Sequence, residues 1–387
     1  MISSKWKYLT LYLTSFFGPF GGSTIAIMIP VLKESFSVSI TTVLLVNTLY
    51  MLPYGFFQIF SGVLSDHYGR SRIILFGCIL YSIGALGCAF SPNIEFLITS
   101  RFFQGCGVAF VFPIALPLAA DLAKPYERKS IVGRLVAVQQ TGQMLGPSIA
   151  GFLVMVDWRL VFLLMATFSV VSSLFTRAIR VTVDTGQEET IQSIIKKTFN
   201  SARNRTLQFL CFSGFVLSLC TSGIQNLLGD ALSTGPLLLE KYQIGLVFTA
   251  VGLSGIAATQ IFSRLSNKIG TKNTYLLGFC MLSFAHLLYV IADSFFSLLP
   301  AAMANGFGIA LMFIPLQLSL IEVLPSAKGT ASSLYSSFRF TAIALSPLLL
   351  SPFYTSFGMI TVFLIKSLLL ILCIVPVQLI FPKKEQL

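Results

Sequence analysis

Gly62-Val63-Leu64-Ser65-Asp66-His67-Tyr68-Gly69-Arg70-Ser71-Arg72 is a polar, glycine-punctuated stretch between two apolar runs, 41–63 and 73–91, and its reading decides the fold. A degenerate copy, Leu265-Ser266-Asn267-Lys268-Ile269-Gly270-Thr271-Lys272, stands 201 residues later between the runs 244–263 and 273–292. The same offset pairs Gly105 with Gly306, Gly107 with Gly308 and Asp121 with Glu322, and Ser346-Pro347 lies one residue off the partner of Gly146-Pro147. A constant offset over such a distance marks a duplicated architecture. The expected fold is an all-α membrane protein: two pseudo-symmetric six-helix bundles related by an axis along the membrane normal, rocking about a central cavity.

Composition agrees. Of 387 residues, 55% are hydrophobic and only 10% charged, where a soluble chain carries about 25% charged. A soluble core cannot absorb that much apolar surface without exposing large sticky patches. Spans are expected near 8–30, 41–63, 73–91, 94–118, 131–155, 159–179, 207–230, 244–263, 273–292, 295–319, 329–350 and 357–380. At ~20 residues each, twelve spans use roughly 250 residues. That leaves no room for a large extramembrane domain, and it excludes a disulfide framework, a disordered chain or a nucleic-acid module. The domains are then 1–179, a six-helix bundle; 180–206, a polar cytoplasmic linker with a short amphipathic helix; and 207–387, a second six-helix bundle.

The formal charge of +12 is a matter of topology. Assigning alternate loops to opposite sides puts twenty Lys and Arg on one side and only Lys33, Arg159 and Lys241 on the other. The positive-inside rule then places both termini in the cytoplasm of a multi-pass protein of the cell inner membrane. Lys5 and Lys7 precede the first apolar run without a small-residue cleavage site, so this run reads as an uncleaved span. All seven cysteines lie in apolar runs with no C-x-x-C pair or Cys/His cluster, so they read as small hydrophobes, and no metal or cofactor is expected.

The loop at 62–72 resembles the signature that the major facilitator superfamily carries between its second and third helices, met at Gly62, Asp66, Gly69 and Arg70, with Arg72 one place later than usual. The resemblance implies a cytoplasmic gate in which Asp66 and Arg70 meet the acid ending helix four, here Asp121. Two further stretches narrow it. Arg101-Phe-Phe-Gln104-Gly105-Cys-Gly107 is similar to the family's helix-four pattern, and Gly142-Gln-Met-Leu-Gly146-Pro147-Ser-Ile-Ala150-Gly151 resembles the antiporter motif of drug:proton exporters. Small residues at that spacing permit close helix packing, and Pro147 removes a backbone hydrogen bond. The resemblance is to the twelve-helix drug:proton antiporter group. It implies export of amphipathic small molecules against protons by alternating access, in a monomer whose partners are substrate, protons and membrane lipids.

Ionisable groups inside spans are expensive and mark function by default. Arg101 and Arg339 are expected to face the cavity with Gln104, Tyr50, Tyr54, Asn226 and Phe338, against a structural role in helix pairing. Lys366, in helix twelve, is expected to snorkel to the surface, and His286 to be a satisfied core residue. Asp230 is the proton-coupling site if helix seven runs past it, and an outer-loop residue otherwise. Two other functions remain open: transport of an anionic metabolite or siderophore through Arg101 and Arg339, and a non-transporting receptor on a transporter scaffold. An enzyme is not expected, since no nucleophile–base pair, metal cluster or phosphate loop is present.

Overall fold

A computed structural model describes residues 4–122, 127–176, 203–323, 328–374 and 377. Its regular elements are helices, in two compact units, Met1–Ile194 and Ile195–Leu387. The first unit holds α1 (Ser4–Ser23), α2 (Ile25–Phe36), α3 (Ile40–Tyr68), α4 (Arg70–Ala89), α5 (Ile94–Ala109), α6 (Phe112–Leu122), α7 (Arg128–Leu153) and α8 (Arg159–Thr176). The second holds α9 (Arg205–Thr234), α10 (Lys241–Ile269), α11 (Thr271–Ile291), α12 (Phe295–Val323) and α13 (Lys328–Ile371). Most of the 180–206 linker lies outside the described residues.

Helix starts follow local chemistry. Ser39 Oγ accepts from the Thr42 amide at 3.2 Å, Asn93 Oδ1 from Phe96 at 2.9 Å, and Asn204 Oδ1 from Leu207 at 3.0 Å. Each satisfies an amide that the first helical turn leaves without a partner. The joint between α3 and α4 is Gly69 alone, at φ 93° and ψ 129°, and the α10–α11 joint is Gly270 alone, at φ 85° and ψ 154°. Side chains disfavour that region, so glycine lets two long helices abut with a single residue between them. α3 and α10 begin 201 residues apart, as do α4 and α11.

The duplication extends to packing. A Cβ on Gly105 would collide with the Tyr50 carbonyl oxygen, and one on Gly306 with that of Val251, again 201 residues apart on both sides. A Cβ on Gly77 would sit 2.7 Å from the Gly107 carbonyl oxygen, and one on Gly278 3.0 Å from that of Gly308. Bare backbone at these points brings α5 against α3 and α4, and α12 against α10 and α11.

Four expected spans are built differently. The first is bent by 52° between Tyr8–Ser23 and Ile25–Phe36 and runs past residue 30. Gly21-Gly22-Ser23-Thr24 is the kind of sequence at which a helix ladder breaks. The fourth is interrupted between Ala109 and Phe112, where Pro113 sits in the first turn of α6 and lacks the amide an unbroken helix would use. The boundary between the last two shifts: helix continues through 351–356, and the break comes at Gly358 (φ 78°, ψ −179°).

Among the described residues nine helices are long and apolar enough to cross a membrane, or ten with the bent pair taken as one span. Ala331–Ile371 counts once there although Gly358 divides it. α7 is not among the nine; Gln139-Gln140-Thr141-Gly142-Gln143 makes its middle polar. Phe76, Ile79 and Ile83 on α4, and Phe284 and Leu287 on α11, stand 46–62% exposed. Apolar faces of that kind suit lipid.

Candidate functional site

In the first unit the polar interior is organised by Arg101 on α5, which is fully buried. Its Nε donates to the Val46 carbonyl of α3 at 3.2 Å, and its Nη1 donates to Gln104 Oε1 at 2.6 Å. Its guanidinium lies 3.9 Å from the centre of the Tyr50 ring and 5.9 Å from that of Phe162. Aromatic faces stabilise a cation that has lost its water. Gln104 Nε2 reaches Met165 Sδ of α8 at 3.4 Å, and Tyr50 Oη donates to the Gly18 carbonyl of α1 at 3.3 Å. Tyr54, beside Tyr50 with ring centres 6.5 Å apart, is 5% exposed. Arg101, Gln104, Tyr50 and Tyr54 therefore do come together, as a sealed cluster that pins α5 to α3 and α8. Arg101 Nη2 has no hydrogen-bond partner.

The antiporter-like segment lies along α1. A Cβ on Gly142 would be 2.6 Å from the Phe16 carbonyl oxygen, and one on Gly146 would collide with Ser23 Oγ and stand 3.2 Å from the Phe20 carbonyl oxygen. Two successive turns of α7 thus rest on two successive turns of α1. Pro147 and Gly151 are buried, and α7 remains helical through them.

Of the expected gate, Gly69 is the α3–α4 joint, Arg70 is half-buried and Arg72 exposed. Gly62 is exposed, and a Cβ there would meet nothing within 4 Å. Asp66 falls on α3 and Asp121 on α6, but their side chains lie outside the described residues. Tyr8 Oη donates to the Leu122 carbonyl at 3.2 Å, which ties the end of α6 bearing Asp121 to α1.

In the second unit α9 packs along α13. The choice left open for Asp230 resolves to burial: α9 continues to Thr234, and Asp230 is 3% exposed. Tyr354 Oη of α13 donates to Asp230 Oδ2 at 2.9 Å. Asn226, one turn earlier on α9, is 4% exposed. Sequence reasoning missed Tyr354, because nothing local links residues 124 apart. Arg339 is half-buried, its Nε 3.4 Å from Ser218 Oγ of α9 and its guanidinium 4.1 Å from the Phe313 ring centre of α12. Phe338 beside it is 45% exposed.

Two expectations fail. Lys366 does not snorkel: it is fully buried, and its Nζ has no hydrogen-bond partner among the described residues. α9 packs against this stretch of α13, where Cys220 Sγ donates to the Lys366 carbonyl at 3.6 Å. His286 is satisfied on one side only. Its Nδ1 is 3.0 Å from Ser367 Oγ, while Nε2 has no partner. The cysteines are free thiols; Cys280 is exposed and the other six are buried.

Residues 11–241 and 210–387 each match the family model described as Major Facilitator Superfamily. The chain is 28% identical over 331 residues to a lincomycin resistance protein of Streptomyces lincolnensis, covering 72% of this chain and 68% of that protein. It is 32% identical over 138 residues to the multidrug resistance protein Stp of Mycobacterium tuberculosis (strain CDC 1551 / Oshkosh), covering 35% and 26% of the two chains. Among solved structures, the nucleoside transporter NupG is similar in fold, with a TM-score of 0.79 over 97% of this chain and 99% of that one at 13% identity. With both halves matched, the chain belongs to the Major Facilitator Superfamily, and it is a multi-pass, non-enzymatic membrane transporter of a small molecule.

Proposed function

We propose that this transporter exports drugs or other amphipathic small molecules from the cell, driven by protons, by alternating access of two six-helix bundles that cross the inner membrane twelve times with both termini in the cytoplasm. The observation that carries the reading is Asp230, a carboxylate buried inside α9 with a tyrosine hydroxyl donating to it. An acid inside a span is costly unless it works. It has the chemistry of a carrier: protonated it is neutral and cheap to bury, and ionised it needs the donor that Tyr354 supplies. The antiporter-like contact of Gly142 and Gly146 with α1 supports the same reading, as do the resistance proteins among the relatives. Asp66, Arg70 and Asp121 close the cytoplasmic side. The monomer, set among lipids, then releases solute outside and takes up a proton. One charge moved across 100 mV provides ~2.3 kcal/mol, enough for about 50-fold accumulation at ~1.4 kcal/mol per decade.

The test is a proteoliposome assay with an internal pH dye and an imposed proton gradient, to which cationic, neutral and anionic amphiphiles are added in turn. Proton movement driven by a cationic or neutral compound, and lost in Asp230→Asn, is the expected result. Flux indifferent to the gradient overturns proton coupling. A second reading, export of an anionic solute, rests on Arg339, which is half-buried beside the exposed Phe338. Proton movement with anions alone, lost in Arg339→Ala, would replace the first reading with this one.

A further inference from the structure

Lys366 and His286 put two unpartnered nitrogens inside the second bundle. Lys366 is fully buried with Nζ unbonded, and His286 is 2% exposed with Nε2 unbonded. Ser367, the residue after Lys366, holds the other nitrogen of His286 at 3.0 Å, and the His286 ring lies 5.6 Å from that of Phe363, so His286 packs on the turn of α13 that carries Lys366, close enough for the two groups to act on each other electrostatically. Buried polar groups are ordinarily hydrogen-bonded, and each exception calls for an explanation.

The scaffold does not require nitrogen here. At the 201-residue spacing the first half carries Met165 where the second carries Lys366, and Ala85 where it carries His286; both Met165 and Ala85 are fully buried. The same wall is therefore built in the first half from apolar side chains of similar or smaller bulk. Among the described residues no carboxylate acts on Lys366. The titratable groups acting on it are the Cys220 thiol on α9 and the His286 imidazole on α11. A lysine in this position differs from Arg101 in one chemical respect. An amine can shed its charge by releasing a proton, whereas a guanidinium cannot.

We propose that Lys366, with His286 beside it, is a proton-binding site inside the second bundle, a coupling residue additional to Asp230. When the bundle is open to one side, the Nζ lone pair takes a proton from hydronium, whose O–H bond breaks to leave water as the ammonium forms. On the other side that N–H bond breaks and the proton passes to water, regenerating hydronium and the neutral amine. The coupling role rests on the proton-driven reading above, but the site itself is testable without transport.

The first measurement is the melting temperature of the purified protein between pH 5.5 and 8.5, for wild type, Lys366→Met and Lys366→Gln. Acid forces a charge on to a dry, unpartnered amine, so wild type is expected to melt lower as pH falls. Lys366→Met, which installs the first half's residue, is expected to melt higher than wild type in acid and with a flatter slope. Equal slopes in wild type and both variants overturn the site. So does loss of folded protein in Lys366→Met, because that would show an ammonium held by a partner. The second measurement is protons moved per solute in proteoliposomes, expected to fall in Lys366→Met while solute binding persists. An unchanged ratio overturns the coupling role even where antiport stands. If wild type moves no protons, the antiport reading and the coupling role fall together, and the melting slopes alone judge the site.

Discussion

The two halves share a backbone design and differ in what it encloses. Gly105 against Tyr50 and Gly306 against Val251 are the same helix contact twice, and Gly69 and Gly270 are the same joint twice. Arg101 is the polar centre of the first half, fixed by Val46, Gln104 and the Tyr50 ring. At its counterpart position stands Ala302, and the buried amine of the second half, Lys366, comes from another helix, its Nζ with no hydrogen-bond partner among the described residues. Backbone approach between helices has few solutions, so it survives duplication. A buried basic group has no such constraint, and each half has placed its own.

Matched substitutions break or sharpen this comparison. The largest effect is expected from Gly105→Val and Gly306→Val, which drive a branched side chain into a neighbouring carbonyl oxygen. Each should cost more than the ~1–3 kcal/mol of ordinary overpacking, and yields of monodisperse protein should fall alike for the two. A collapse confined to one variant means that the repeated contact is not equivalent in the two bundles. Next comes Arg101→Met, which leaves Gln104 Oε1 without its donor and should lower stability by about 2 kcal/mol, in the range for hydrogen bonds to charged groups. Calorimetry of this variant against Lys366→Met should give shifts of opposite sign, and shifts of the same sign would remove the distinction drawn between the two cations.

Gly69→Ala and Gly270→Ala follow, at ~1–3 kcal/mol each for a side chain in a sparsely populated backbone region. Chemical denaturation curves should move equally for the pair. The smallest change is expected from Tyr354→Phe. Loss of one hydroxyl from Asp230 should cost about 1 kcal/mol, read as a several-fold weaker substrate-driven proton signal with the fold intact. A silent Tyr354→Phe, beside an inactive Asp230→Asn, would mean that the carboxylate works without its tyrosine.

How much of this was legible beforehand varies with the range of the interaction. The loop at 62–72 and its copy announced the duplication because a glycine joint is a local demand on one residue. Gly142 and Gly146 announced a close helix contact because small residues four apart lie on one face. Lys366 was misread since exposure of a helical lysine depends on which helix packs against it, and the contact from α9 that meets its backbone, Cys220, is 146 positions away. Asp230 could be named but not placed, for its burial depends on where α9 ends and on Tyr354, 124 positions later. The break between the last two spans falls at Gly358, just inside the expected twelfth span, because the helix accommodates Pro352 and continues to that point.

The sequence by itself determined a membrane chain of two related halves in the major facilitator superfamily, since hydropathy, charge bias and glycine spacing are properties of the chain written residue by residue. The tertiary structure decided which polar groups are partnered: Arg101 with Gln104, Asp230 with Tyr354, and the Lys366 amine with none of the described residues. Partnership is a matter of distance between helices far apart in the chain, and only their packing sets that distance.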